Sequence, residues 1–170
     1  MTNSVKRFLT LSVCTLTLSM LSACGGGAGD EPLPDNNAAA ARAVEPLIGV
    51  WDLPRDWNGI PNDTAHLVIN APDAEGVAVA TIFDLDDTSP GSESNCFEVD
   101  GFPGTVFQSV TDELFLEVSA FPAAIAELTP AGDLQISVFS EAAGTGVPPE
   151  RVLTATRLGI TELDIPLCDS

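Results

Sequence analysis

Apolar and polar residues alternate over much of the C-terminal part of the chain. Between Leu134 and Val138, Gln135 and Ser137 separate three aliphatic residues, a period of two that is typical of a strand with one buried face. Comparable extended segments are predicted at 47–53, 66–71, 77–85, 96–99, 105–110, 113–119, 125–128 and 151–158. Turn-forming residues at 72–76 and 129–133 separate several of them. No segment shows a convincing helical stripe, so we predict an all-β fold, either an antiparallel barrel or a sandwich.

Two segments are less clear. At 121–128, Pro122 could open a helical turn in place of an extended segment. Residues 24–45 are mostly Gly, Asp, Pro, Asn and Ala without apolar periodicity, which predicts a flexible linker of about 25 Å r.m.s. length. A helix at 36–44 within it would be marginal on its own. The remaining residues, 46–170, are predicted to form a single β domain.

The N-terminus has the features of a secretion signal. Lys6 and Arg7 precede an uncharged, largely apolar stretch at 8–23, which is too short and too rich in Ser and Thr for a comfortable membrane span. Such an arrangement is typical of a signal peptide, here residues 1–23.

The end of this stretch, Leu21-Ser22-Ala23-Cys24, resembles the lipobox of bacterial lipoproteins. The resemblance implies that Cys24 becomes the first mature residue and carries a diacylglyceryl thioether and fatty acid such as palmitate, so that acyl chains hold the protein on a membrane. Gly25 and Gly26 replace the aspartate that retains many such proteins at the inner membrane. The expected location is therefore the periplasmic face of the outer membrane. The alternative is an ordinary cleaved signal followed by a chance cysteine.

Charge narrows the choice of partners. Beyond residue 23 the chain contains four arginines and 25 carboxylates, which gives a formal charge of −21. Nucleic-acid binding is not expected, because it needs basic patches, and neither is an electrostatic membrane contact. The acidic surface either attracts basic partners or cations, or simply keeps the protein soluble.

Four cysteines divide between two expected uses. Cys14 lies in the signal and Cys24 takes the lipid, which leaves Cys96 and Cys168. In an oxidising periplasm these two are predicted to form a disulfide. A loop of about 70 residues would contribute about 4 kcal/mol by chain entropy.

Gly49-Val50-Trp51 resembles the Gly-x-Trp motif that opens the barrel of lipocalins. In that family the tryptophan closes one barrel end under an arginine of the last strand, a role that the resemblance implies for Arg157. Gly49 would allow close approach of the backbone. An eight-stranded barrel is either filled by side chains or holds one small apolar molecule, so both possibilities stay open.

Asp84-Leu85-Asp86 resembles the first motif of haloacid-dehalogenase phosphatases, which implies Asp84 as nucleophile and Asp86 as proton donor on a parallel sheet. The lysine that this family needs is absent beyond residue 23, so phosphatase activity is a remote alternative. The same two carboxylates are weak candidates for Ca²⁺ ligands. His66 is the single histidine, and we find no catalytic constellation and expect no cofactor.

The sequence thus predicts a non-enzymatic, lipid-anchored, periplasm-facing lipoprotein. It would bind a small apolar ligand or an envelope partner, a basic protein being favoured by charge. The alternative is a structural or interaction protein of the envelope without a small-molecule ligand.

Overall fold

A computed structural model describes residues 36–61, 63–85, 96–140 and 147–168, all within one compact unit, Pro34–Ser170. One helix, α1 (Asn36–Val44), and a 3₁₀ turn, Glu45–Leu47, precede eight strands. A second 3₁₀ turn, Glu162–Asp164, follows them. The strands are β1 (Gly49–Asp52), β2 (Ala65–Ile69), β3 (Ala78–Asp84), β4 (Phe102–Gln108), β5 (Leu114–Val118), β6 (Ala123–Leu128), β7 (Leu134–Phe139) and β8 (Arg151–Leu158).

Each strand pairs antiparallel with the next, and β1 pairs antiparallel with β8, so the sheet closes into a barrel. This arrangement confirms the predicted all-β class and decides for a barrel over a sandwich. Turns 70–77, 109–113 and 129–133 lie at one end, here called the hairpin end. Connections 53–64, 85–101, 119–122 and 140–150 lie at the other, the loop end. Closure leaves none of the eight strands as an unpaired edge.

The alternation read from the sequence sets which side chains enter the barrel. In β7, Leu134, Ile136 and Val138 are buried, while Gln135 and Ser137 are half-buried on the outside. The same period holds in β3, where Ala78, Ala80 and Ile82 face inward. Because facing strands are in register, these residues meet in one apolar core.

Three segments differ from the sequence-based expectation. Segment 123–128 is the strand β6, and Pro122 precedes it without opening a helix. The predicted strand at 96–99 is reduced to single bridges that Phe97 makes to Leu85 and Leu167. Residues 36–44, predicted as the end of a flexible linker, form α1, and Val44 is fully buried in the core. Packing against the barrel stabilises a helix that would be marginal alone.

Helix α1 is also the longest helix in the described ranges. None of the helices within these ranges is long and apolar enough to cross a bilayer.

Candidate functional site

The centre of the barrel is occupied by its own side chains. Inward-facing residues from all parts of the wall, including Leu67, Ile82, Leu116 and Ile136, have no exposed surface. Together with Trp51 and Trp57 they belong to one continuous cluster. In the described strands, the space that a larger barrel would offer to a ligand is therefore filled by aliphatic packing.

Gly49, Trp51 and Arg157 close the hairpin end. The guanidinium carbon of Arg157 lies 4.3 Å from the centroid of the buried Trp51 ring, and this ring donates from Nε1 to Leu47 O at 2.8 Å. Arg157 also donates to Ile48 O at 2.7 Å and to Pro46 O. Gly49 has φ 141°, and a Cβ there would lie 3.3 Å from the guanidinium. These contacts hold the arginine against the backbone and the tryptophan ring, as the resemblance to lipocalins implies.

The loop end is closed by a second tryptophan that the sequence did not single out. Trp57, in the loop after β1, is fully buried and makes edge-to-face contacts with Phe102 and Phe121, at centroid distances of 5.7 and 6.0 Å. Arg151 donates to its carbonyl oxygen at 2.9 Å. The available signal was a large aromatic residue within a loop rich in Pro and Gly. Its burial follows from tertiary contacts that periodicity does not report.

Two carboxyl groups meet at the same end. Asp84, the last residue of β3, interacts with Asp63, which is 6 % exposed and also accepts a hydrogen bond from Asn58 Nδ2. Burial raises the pKa of Asp84 to about 7, and the negative charges of Asp63 and Glu98 add to the effect. Asp84 Oδ1 is buried without a hydrogen-bond partner among the described residues. Asp84 therefore keeps its proton up to near-neutral pH and donates a hydrogen bond to Asp63 in that form.

A further cluster lies outside the barrel, around His66. Its Nδ1 is 3.3 Å from Asp52 Oδ1, and its ring stacks on Phe97 with the centroids 4.3 Å apart. Burial lowers the pKa of His66, while the neighbouring Asp52 carboxylate opposes that shift. An imidazole that stacks on a phenyl ring beside one carboxylate is a packed residue.

Phe97 belongs to a flap that covers the outer side of β1–β3. The disulfide Cys96–Cys168 is present, as predicted, with a Cα–Cα distance of 4.9 Å. Phe97 N–H donates to Pro166 O at 2.8 Å, and Cys168 N–H donates to Phe97 O at 2.9 Å. The flap residues Phe97 and Ile165 bury three outward-facing side chains, here called the covered face: Val50, Val68 and Phe83.

The outer side of β4–β6 carries a second apolar surface. Phe107 and Phe115 are cross-strand partners with stacked rings, 5.9 Å between centroids, and Phe115 is in turn the partner of Ile125. All three are half-buried. These three residues are called the open face below, and the carboxylates Glu113, Glu117 and Glu127 flank them on the same strands and the adjoining turn.

The proposed chemistry of the acidic motif receives no support from this geometry. Asp84 lies on an antiparallel barrel, so the parallel sheet implied by the phosphatase resemblance is wrong. Asp86 lies outside the described residues, as does Cys24. Within the described ranges, no group of three or more His, Cys, Asp or Glu side chains is arranged to hold a metal ion.

Comparison of the chain with protein-family models, with curated proteins and with solved structures gave no match. The eight-stranded antiparallel barrel is compatible with a lipocalin-like barrel.

Proposed function

We propose that this protein is a lipid-anchored lipoprotein of the bacterial envelope, with a lipocalin-like barrel that recognises an envelope protein by its outer surface. The observation that carries the proposal is the filled barrel. Trp51 and Trp57 occupy the two ends, and aliphatic side chains without exposed surface occupy the centre. An apolar ligand in the centre would have to displace packed side chains, which costs free energy at each displaced residue.

The anchor part of the proposal is supported by the sequence of the leader. Lys6, Arg7, the uncharged stretch and Leu21-Ser22-Ala23-Cys24 have the order that lipoprotein export uses. Acyl chains on Cys24 would keep the barrel at the membrane, since several chains together give stable anchoring. Gly25 and Gly26 favour the outer membrane, with the barrel facing the periplasm.

Labelling with a palmitate analogue in the bacterial host tests the anchor. We expect label on the wild-type protein in the membrane fraction, no label on Cys24→Ser, and unchanged label on the matched control Cys14→Ser. Label retained by Cys24→Ser would contradict the lipid anchor.

Tryptophan fluorescence tests the alternative, a small apolar ligand bound inside the barrel. Both tryptophans lie inside the barrel, so a ligand that entered the core would change their emission. We expect no saturable change when fatty acids or lysolipids are titrated into the protein. A saturable change, lost in a variant with a larger inward side chain such as Ala124→Leu, would instead support a small apolar ligand.

A further inference from the structure

The open face is part of a row of outward-facing residues that runs around the barrel wall. Phe107 pairs with Phe115, Phe115 with Ile125, Ile125 with Ser137, and Ser137 with Val152. Val152 is 51 % exposed. Stacked aromatic rings on a sheet surface offer a broad, rigid contact area at low entropic cost.

The flanking carboxylates give this surface a charge. Glu113, Glu117 and Glu127 are exposed, and no cationic side chain pairs with any of them in the ranges that the structure describes. Glu113 and Glu127 also line one shallow concavity at the hairpin end, together with Asp112 and the apolar Leu114, Ile125 and Leu128. The open face is therefore apolar at its centre and negative at its border.

We infer, on the basis of the proposed function, that the open face is the docking site for a protein segment that presents an apolar side chain flanked by Lys or Arg. The apolar side chain would pack against Phe107, Phe115 and Ile125. The aliphatic stem of a lysine or arginine would cross the apolar border, and its charged group would reach Glu117 or Glu127.

Charge distinguishes this occupant from the others. A second copy of the chain would place the same carboxylates against each other, and the whole chain has a net charge of −19. Anionic lipid headgroups meet the same repulsion. The chain's own linker adds Asp30, Glu31 and Asp35, which are also negative. The partner docks through side chains, because closure of the barrel leaves its eight strands without a free edge for strand addition.

NMR titration of the exported Cys24→Ser protein tests the inference. The probe is a soluble peptide in which lysines flank phenylalanine, compared with one peptide that has Glu for Lys and another that has Ala for Phe. We expect the Lys–Phe peptide to shift amide signals of β4–β6, and the dissociation constant to rise about tenfold with either comparison peptide.

Two double variants with the same change in charge distinguish binding at the open face from non-specific attraction of the basic peptide to the acidic protein. Glu117→Lys with Glu127→Lys lies beside the open face, whereas Glu150→Lys with Glu162→Lys changes exposed residues outside β4–β6 and the turns that join these strands. We expect the first to weaken binding about tenfold or more, and the second by about threefold or less. Equal weakening, or shifts outside β4–β6, would overturn the inference. So would shifts of the same amides on raising protein concentration without peptide, which would assign the face to a second copy.

The titration uses a chain without acyl groups, so its outcome does not depend on the lipid anchor. If labelling fails while the peptide binds at the open face, the anchor is wrong and the docking site stands. If labelling succeeds and the peptide binds elsewhere, the docking site alone is wrong.

Discussion

The covered and open faces of the barrel both consist of outward-facing apolar side chains, but these side chains differ in their exposure to solvent. On β1–β3, outward-facing Val50, Val68 and Phe83 are 1 %, 3 % and 7 % exposed, because the disulfide-linked flap lies over them. On β4–β6, Phe107, Phe115 and Ile125 stay half-buried. The chain thus covers one apolar face with its own C-terminal segment. The alternation within a strand therefore does not decide which outward-facing residues belong to the core.

The largest effect is expected from the disulfide that holds the flap. Cys96→Ser with Cys168→Ser removes a link between residues 72 positions apart. Chain entropy then predicts a loss of about 4 kcal/mol in the free energy of unfolding, because the unfolded chain gains freedom.

Urea unfolding of Cys24→Ser with and without these substitutions measures the loss, and hydrogen exchange locates it. We expect the amides of β5 and β6 to lose protection only by the global loss of stability, while those of Phe97 and Cys168, which donate within the flap, lose more because the flap also opens locally. Unchanged stability together with a protected flap would mean that packing alone holds the covered face.

A matched pair of truncations compares the faces directly. Phe83→Ala should cost about 3 kcal/mol of unfolding free energy, since it leaves a cavity beneath the flap. Phe115→Ala should cost about 1.5 kcal/mol, because the side chain is already part-exposed and loses mainly its stacking on Phe107. Equal costs in urea unfolding would show that the open face is as well packed as the covered one.

The sequence predicted the barrel wall well and its covering poorly, for physical reasons. Alternation at Leu134–Val138 predicted β7, because one face of that strand meets water. In β3, the outward-facing Phe83 is also buried, because the flap residues Phe97 and Ile165 cover it. Burial of this outer face therefore depends on segments that are distant in the sequence. Segment 121–128 was ambiguous, since Pro122 suits a helix start as well as a strand edge.

Some of the candidate site residues were predicted from the sequence, and others were not. Cysteine number and expected compartment predicted the bridge between Cys96 and Cys168, and the resemblance to lipocalins implied that Trp51 lies under Arg157. Trp57 and the pair Asp63–Asp84 were missed. Trp57 and Asp63 lie in a loop without periodicity, and Asp84 lies at the end of β3. Trp57 meets Phe102 and Phe121, and Asp63 meets Asp84, only when the loop folds over the barrel end.

An intermediate effect is expected from Asp84, which lies on the covered side of the barrel where β3 ends. Its pKa is raised in the folded state to about 7, from an ordinary value of 3.8. The folded protein therefore holds more protons than the unfolded chain between these values, so stability falls as pH rises from about 4 to 7 and changes little above.

Asp84→Asn removes this dependence while keeping a hydrogen-bond donor toward Asp63. We expect the variant to be more stable by about 1 kcal/mol at pH 8 and to show a flatter profile between pH 4 and 7 in urea unfolding. Glu150→Gln, at an exposed position before β8, is the control for removing one carboxylate. A profile for Asp84→Asn that still falls with rising pH would show that other groups cause the fall.

The smallest effect on stability is expected from charge reversal beside the open face. Glu127→Lys changes an exposed residue without an ion pair in the described ranges, so unfolding free energy should shift by less than about 0.5 kcal/mol. The shift should be toward greater stability at low salt, because the substitution removes repulsion from Glu113 and Glu117. Unfolding at low and high salt measures both, and the salt-dependent part should vanish in the high-salt sample. A loss of more than about 1 kcal/mol in unfolding free energy would mean that Glu127 stabilises the barrel wall. An exposed residue outside a packed site contributes less than this.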